Sequence, residues 1–109
     1  MGFGYTIQCS ACKNKEEIYF GWGFSAYIML YYDEQTGDYS LRSYEILGCN
    51  HDLSKLKKTE SYRKDELLFK ELYGYVEINE KNFESKINKL CCHKCLKKAL
   101  SIIGYCLWD

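Results

Sequence analysis

Proline is absent from this chain of 109 residues, histidine occurs only twice, and basic residues are not in excess, with Lys+Arg and Asp+Glu at 15 each. Each shortage excludes something. Without proline, and with eight glycines against 47% apolar residues, the composition is not that of a low-complexity or disordered chain. A net charge of zero argues against a dedicated nucleic-acid binder, which ordinarily carries a basic surplus. Two histidines leave little material for general acid–base work. None of the metalloprotease, deaminase, nucleophile-elbow or phosphate-loop motifs occurs, so the chain is expected not to be an enzyme. No apolar run reaches the roughly 18 residues of a membrane span. The first residues lack the basic segment and long apolar core of a secretory signal, so a cytoplasmic location is expected. The length predicts one domain, 1–109, with a modest core.

Cysteine, in contrast, is plentiful: Cys9, Cys12, Cys49, Cys91, Cys92, Cys95 and Cys106. An odd count fits poorly with a closed disulfide framework, and a reducing compartment leaves thiols free as ligands. Cys9-Ser10-Ala11-Cys12 and Cys92-His93-Lys94-Cys95 are two C-x-x-C turns. Such a turn puts two sulfurs on one side with backbone N–H groups facing them, and two turns complete the tetrahedron of a structural Zn²⁺ site. The predicted ligands are therefore Cys9, Cys12, Cys92 and Cys95. Seventy-nine residues separate Cys12 from Cys92, so the metal would clip the ends of the domain across a long insertion, a closure that costs much entropy in the unfolded chain.

Other ligand sets stay open. Cys91 is an alternative to Cys92 through a C-x-x-x-C spacing, and Cys49 and His51 are spare ligands. His93 is expected to point to solvent, and Cys106 to be a buried, inert thiol. A redox C-x-x-C needs a strand before it and a helix after it. Lys13-Asn14-Lys15 reads as a turn instead, although residues 96–100 after the second pair have helical character.

Period-two alternation at Phe3, Tyr5 and Ile7 predicts a strand into the first cysteine turn, with Glu16 to Phe20 returning. Gly21-Trp22-Gly23-Phe24 reads as a bend with a close backbone approach. Tyr27 to Tyr32 reads as a strand or a short apolar helix, Asp33 to Asp38 as a turn, and Tyr39 to Leu47 as a partner strand without a clean apolar face. The best helix is Asp65 to Tyr73, where Leu68 with Leu72 and Phe69 with Tyr73 make one apolar face ending at Gly74. Tyr75 to Glu80 is extended, and Asn82 caps a second helix through Leu90. Leu100 to Trp108 is a final strand or a helix end broken by Gly104. The class is α+β: zinc-ribbon-like β hairpins at the chain ends with one or two packed helices.

The run Tyr5-Thr6-Ile7-Gln8-Cys9-Ser10-Ala11-Cys12, with Glu17 and Gly21-Trp22-Gly23 after it, resembles the opening of a group of small bacterial zinc-ribbon-like proteins without an assigned activity. Cys92 and Cys95 match their closing pair, with Leu96 where glycine is usual. Their additional central C-x-x-C has only Cys49 here, with Asp52 in the second cysteine's place. The resemblance implies a zinc-stiffened fold and carries no activity.

A non-enzymatic zinc protein whose aromatic surface meets another protein, or a second copy of itself, is the leading expectation. Eleven tyrosines exceed what a small core holds, and tyrosine suits interfaces. Trp22, Phe24, Tyr27 and Tyr31 would form that surface. One alternative is a nucleic-acid-binding zinc module: residues 1–54 carry a net charge of −4 and residues 55–109 one of +4, with Lys55, Lys57, Lys58, Lys94, Lys97 and Lys98 as the basic face and Tyr62 for stacking. Another is thiol redox or metal sensing. No membrane partner is expected.

Overall fold

The computed structural model describes residues 2–23 and 25–108; Phe24, named for the aromatic surface, lies outside them. The first hairpin is the one its alternation predicts. Strand β1 (Gly2–Cys9) pairs antiparallel with β2 (Lys15–Trp22), Tyr5 opposite Ile18 and Phe3 opposite Phe20, with the first cysteine turn at its tip. Strand β3 (Ala26–Tyr32) and β4 (Tyr39–Glu45) form the second hairpin around the turn at 33–38. The helical segments α1 (Leu53–Leu56) and α2 (Glu60–Glu66) follow, the latter continuing as a π-helical stretch, Leu67–Leu72. Then come β5 (Val76–Ile78), the single-turn α3 (Phe83–Lys86) with a 3-10 turn Ile87–Lys89, and β6 (Leu100–Trp108). The strand order is β4-β3-β2-β1-β6, with β5 added to β3. This is a mixed α+β fold, an antiparallel sheet flanked by short packed helices.

The ambiguous run Tyr27 to Tyr32 is a strand, and its continuous apolar character has a cause: both faces are covered, as in any strand buried on two sides. Leu30 and Tyr32 face a first core with Tyr5, Ile7, Ile18, Phe20, Phe83, Leu90 and Leu100. Met29 and Tyr31 face a second core with Tyr44, Ile46, Leu56, Tyr62 and Phe69. The partner strand alternates the same way, Tyr39 and Leu41 toward the first core and Tyr44 toward the second. Neither of its faces looked cleanly apolar because Arg42 sits on the second side, paired with Asp65 of α2 through N–H···O contacts of 2.8 and 3.3 Å. The predicted strand stops two residues early, and Leu47 beyond it is 88% exposed.

Several local expectations are corrected. The main helix begins at Glu60, not Asp65. Its predicted apolar face breaks apart: Phe69 is buried, but Leu72 and Tyr73 are 69% and 57% exposed. The wider turn is the reason. Tyr73 N–H donates to Leu68 five residues back, so neighbours four apart no longer share a face. Asn82 does not cap α3 with its side chain, which instead accepts the Asn79 N–H at 2.8 Å. Residues 96–100 form no helix but lead into β6, which is a strand throughout.

The glycine pair around Trp22 reads correctly as a close approach. Trp108 of β6 crosses the back of the first hairpin and donates its indole N–H to the Phe20 carbonyl at 2.9 Å. A Cβ on Gly2 or Gly23 would fall within 2.1 Å of the indole; only glycine leaves room for it.

Candidate metal centre

Each cysteine turn is a knuckle with the same backbone scheme. In the first, Lys13 N–H donates to Cys9 C=O at 2.8 Å and Cys9 N–H to Asn14 C=O at 2.9 Å. In the second, Leu96 N–H donates to Cys92 C=O at 2.8 Å and Cys92 N–H to Lys97 C=O at 2.9 Å. The residue after each second cysteine closes the turn in the left-handed region, Lys13 at φ 65° and Leu96 at φ 63°. That conformation favours glycine, so Leu96 holds the glycine's conformation without being glycine. Its side chain is 73% exposed, clear of the turn.

The sheet brings the knuckles together. Cys9 ends β1 and lies opposite Leu100 of β6, while Ser10 N–H donates to Ala99 C=O at 2.9 Å. The second knuckle is anchored from the other side, where Cys91 N–H donates to Gly37 C=O at 2.9 Å. Gly37 has φ 81°, and a Cβ there would sit 2.5 Å from the Lys89 carbonyl. The turn between β3 and β4 therefore seats the approach to the second knuckle, and only glycine fits.

The sulfurs of Cys9, Cys12, Cys92 and Cys95 all lie within 4.8 Å of one another. Across the knuckles, Cys9 Sγ is 3.5 Å from Cys95 Sγ and Cys12 Sγ is 3.6 Å from Cys92 Sγ. Four sulfurs at about 2.3 Å from a tetrahedral Zn²⁺ stand about 3.8 Å apart, so this cluster is geometrically suited to a single ion such as Zn²⁺. The first cysteine of each pair is fully buried and the second half-exposed. All seven cysteines are free thiols.

The backbone prepares some of these sulfurs for charge. The Cys12 N–H, against the cost of burial and aided by the Ala11 N–H and the neighbouring thiols, brings Cys9 down to about 7. The Cys95 and Lys94 N–H groups lower Cys92 in the same way, again against burial, the Lys94 N–H lying 3.4 Å from the sulfur. At Cys12 the Asn14 N–H favours the thiolate, but burial and three adjoining thiols prevail and push it up to about 11. Four thiols in one cluster do not all ionise unaided; a divalent cation supplies the compensating charge.

The spare candidates fall elsewhere. Cys91, next to a cluster member, is buried apart from it, and burial pushes its thiol up. Cys49 belongs to the second core. His51 stacks on Trp22, ring centroids 5.2 Å apart. Cys106 is half-exposed rather than buried, its sulfur in the space that a Cβ on Gly4 would need. His93 is exposed, as expected, but its ring is tied: it stacks on Tyr39 at 3.9 Å, with Nε2 2.9 Å from the Tyr39 carbonyl and Nδ1 3.3 Å from Glu16. Glu16 also accepts the Tyr39 hydroxyl at 2.5 Å. This Glu16–Tyr39–His93 tie binds the second knuckle to β2 and β4. The i,i+1 position of His93 within the knuckle gave no sign of it.

The aromatic surface is also redrawn. Tyr31 is fully buried, stacked on Phe69 at 4.9 Å. Trp22 and Tyr27 are half-buried and adjoin each other at 4.7 Å, next to His51. A second surface cluster joins Tyr73 and Tyr75 at 5.8 Å.

Compared with models of protein families, with curated proteins and with solved structures, the chain matches none. The class is defined by the fold and the site alone: a small zinc-ribbon-like α+β domain whose two knuckles bring together a four-cysteine cluster suited to one metal ion. Four thiolates fill a tetrahedral shell, whereas a catalytic zinc keeps one position open for water or substrate. The site is thus a structural module rather than a catalytic one. No helix among the described residues is long and apolar enough to cross a membrane.

Proposed function

We propose that Cys9, Cys12, Cys92 and Cys95 hold one Zn²⁺ as a structural clamp. On this reading residues 1–109 are a single zinc-binding domain, residues 13–91 are the insertion between its knuckles, and the protein works in the cytoplasm by binding another protein chain. The observation that carries the reading is the convergence of four sulfurs within 4.8 Å from two knuckles of identical hydrogen-bonding scheme. The surface clusters at Trp22–Tyr27 and Tyr73–Tyr75 support an interaction role. The nucleic-acid reading has less support. Its lysines divide between α1, packed on the second core through Leu56, and the second knuckle beside the first core.

Elemental analysis and native mass of protein purified under reducing conditions test the clamp. One zinc per chain is expected, with Cys12→Ser and Cys92→Ser losing both metal and fold. Metal-free protein with seven free thiols and an intact fold would overturn the proposal and favour redox chemistry at the same pairs.

A further inference from the structure

Strand β6 forms one rim of the sheet, paired with β1 on its inner side. Among the described residues nothing pairs with its outer side. An open rim offers a row of N–H and C=O groups to any passing strand, and soluble proteins guard such rims with charge, proline, shortness or a bulge. β6 is nine residues long, LSIIGYCLW, with no charge and no proline, in a chain that is 28% charged. The opposite rim, β4, is seven residues long and carries Arg42 and Glu45. One register shift, between Thr6 and Ile7, leaves Ile103 as an extra residue on β6 and interrupts the rim locally. Ile103, Tyr105 and Leu107 are 48%, 62% and 66% exposed. They extend an apolar strip from β1, where Phe3 lies opposite Leu107 and Tyr5 opposite Tyr105, with the Phe3 and Tyr105 rings 5.9 Å apart.

We propose that this rim is a homodimer interface, β6 pairing antiparallel with β6 of a second copy to join the two sheets into one. A two-fold axis perpendicular to the sheet makes the rim its own complement and keeps the same face of each copy's sheet on the same side. With the axis at Gly104, residues 100–108 of the two copies run opposite each other, interrupted at the Ile103 bulge, and Ile103 of each copy faces Tyr105 of the other, a favourable branched–aromatic pair. None of the nine residues is charged; beside the strand, the Glu84 carboxylate accepts the Tyr105 hydroxyl at 3.0 Å. A foreign peptide added to a sheet edge takes its specificity from side-chain pockets beside that edge, and no β6 residue lines any of the main surface cavities. Three exposed side chains and one backbone rim fall short of the roughly 800 Å² per partner of a stable interface. The dimer is therefore weak, with dissociation in the micromolar range or above. The proposal adds a surface distinct from the Trp22–Tyr27 and Tyr73–Tyr75 clusters and is independent of the metal.

Sedimentation velocity on the metal-loaded full chain, from micromolar to millimolar concentration, with amide exchange on the same samples, tests it. A monomer–dimer equilibrium is expected, with β6 amides gaining protection as the dimer fills. Ile103→Lys weakens the dimer roughly tenfold or more, and Leu107→Lys does the same should the first variant fold poorly. Ser43→Lys, on the opposite rim, leaves it unchanged. A monomer at every concentration overturns the proposal, as does a dimer indifferent to both rim lysines. Zinc content read on the same samples separates the outcomes: a monomer with full zinc refutes the dimer alone.

Discussion

The two faces of β3 are buried by different parts of the chain and by different means. Leu30 and Tyr32 meet residues from both ends, Tyr5, Ile7 and Cys9 from one and Cys92 and Leu100 from the other. Met29 and Tyr31 meet residues 44–69, all from the middle. The first core pays for closing a long loop and has the four-cysteine cluster at its border. The second closes shorter loops and, among the described residues, is tied by polar pairs instead, Arg42 with Asp65 and the Tyr62 hydroxyl with Glu77. Cys49, its one thiol, lies apart from the cluster. A metal clamp belongs where the contacts are most distant in sequence, because there the unfolded chain has most freedom to lose.

The largest expected effect breaks this contrast from the metal side. Structural zinc binding carries about 10–16 kcal/mol of apparent free energy, much of it realised as folding. Cys92→Ser, or a strong chelator, is expected to release the metal and expose the first core. Amide exchange resolved along the chain checks this: β1 and β6 should lose protection first. Equal loss in α1 and α2 at the same chelator concentration would show that the two cores unfold as one.

From the other side, Phe69→Ala removes the ring stacked on Tyr31 and lying under the Arg42 guanidinium, 5.5 Å from its centroid. Loss of a buried aromatic costs about 3–5 kcal/mol. The expected result is a melted second core with zinc still bound, read by thermal unfolding alongside metal content. Zinc loss in this variant would mean that the second core supports the knuckles.

How much was legible follows the same division. The first hairpin, both knuckles and the sulfur cluster stood in the sequence because period-two alternation and C-x-x-C spacing are local signals. The second core was harder to read. Tyr27 to Tyr32 looked helical or extended because a strand buried on both faces loses its alternation. The helix reads as starting at Asp65 rather than Glu60 because the first turn of α2 is nearly all exposed, with only Tyr62 turned inward. The i+4 pairs at Leu68–Leu72 and Phe69–Tyr73 suggested a face that the π-helical turn does not form. The Glu16–Tyr39–His93 tie joins three elements distant in sequence, and no spacing rule predicts it.

A smaller effect sharpens the account of the second core. The Tyr31 and Tyr44 hydroxyls are near each other, yet neither has a partner at hydrogen-bonding geometry among the described residues. A buried unpartnered hydroxyl costs free energy that its removal recovers. Tyr31→Phe is expected to be neutral or stabilising by up to about 1 kcal/mol, measured by denaturant midpoint at unchanged slope. Destabilisation would point to a bridging water between the two hydroxyls.

The smallest expected effect lies at the start of α1. Asp52 caps α1, its Oδ1 accepting the Ser54 hydroxyl at 2.7 Å and the Ser54 N–H at 3.0 Å. These two bonds, the hydroxyl's first, hold its carboxyl below the ordinary 3.8. A carboxyl depressed in the folded state stabilises the fold fully above its unfolded pKa, and that contribution is lost as pH falls through the folded value. Asp52→Ala should therefore lower the second core's stability slightly at neutral pH, and the gap from the parent protein should narrow and close as acid protonates the parent's cap. Zinc content needs monitoring through the same titration, because acid also protonates the thiolates. The cap belongs to the second core and the thiolates border the first, so metal loss and cap loss should follow separate pH curves if the two faces of β3 are energetically independent. Coincident curves, with the gap persisting until the metal leaves, would instead make α1 part of the clamped unit.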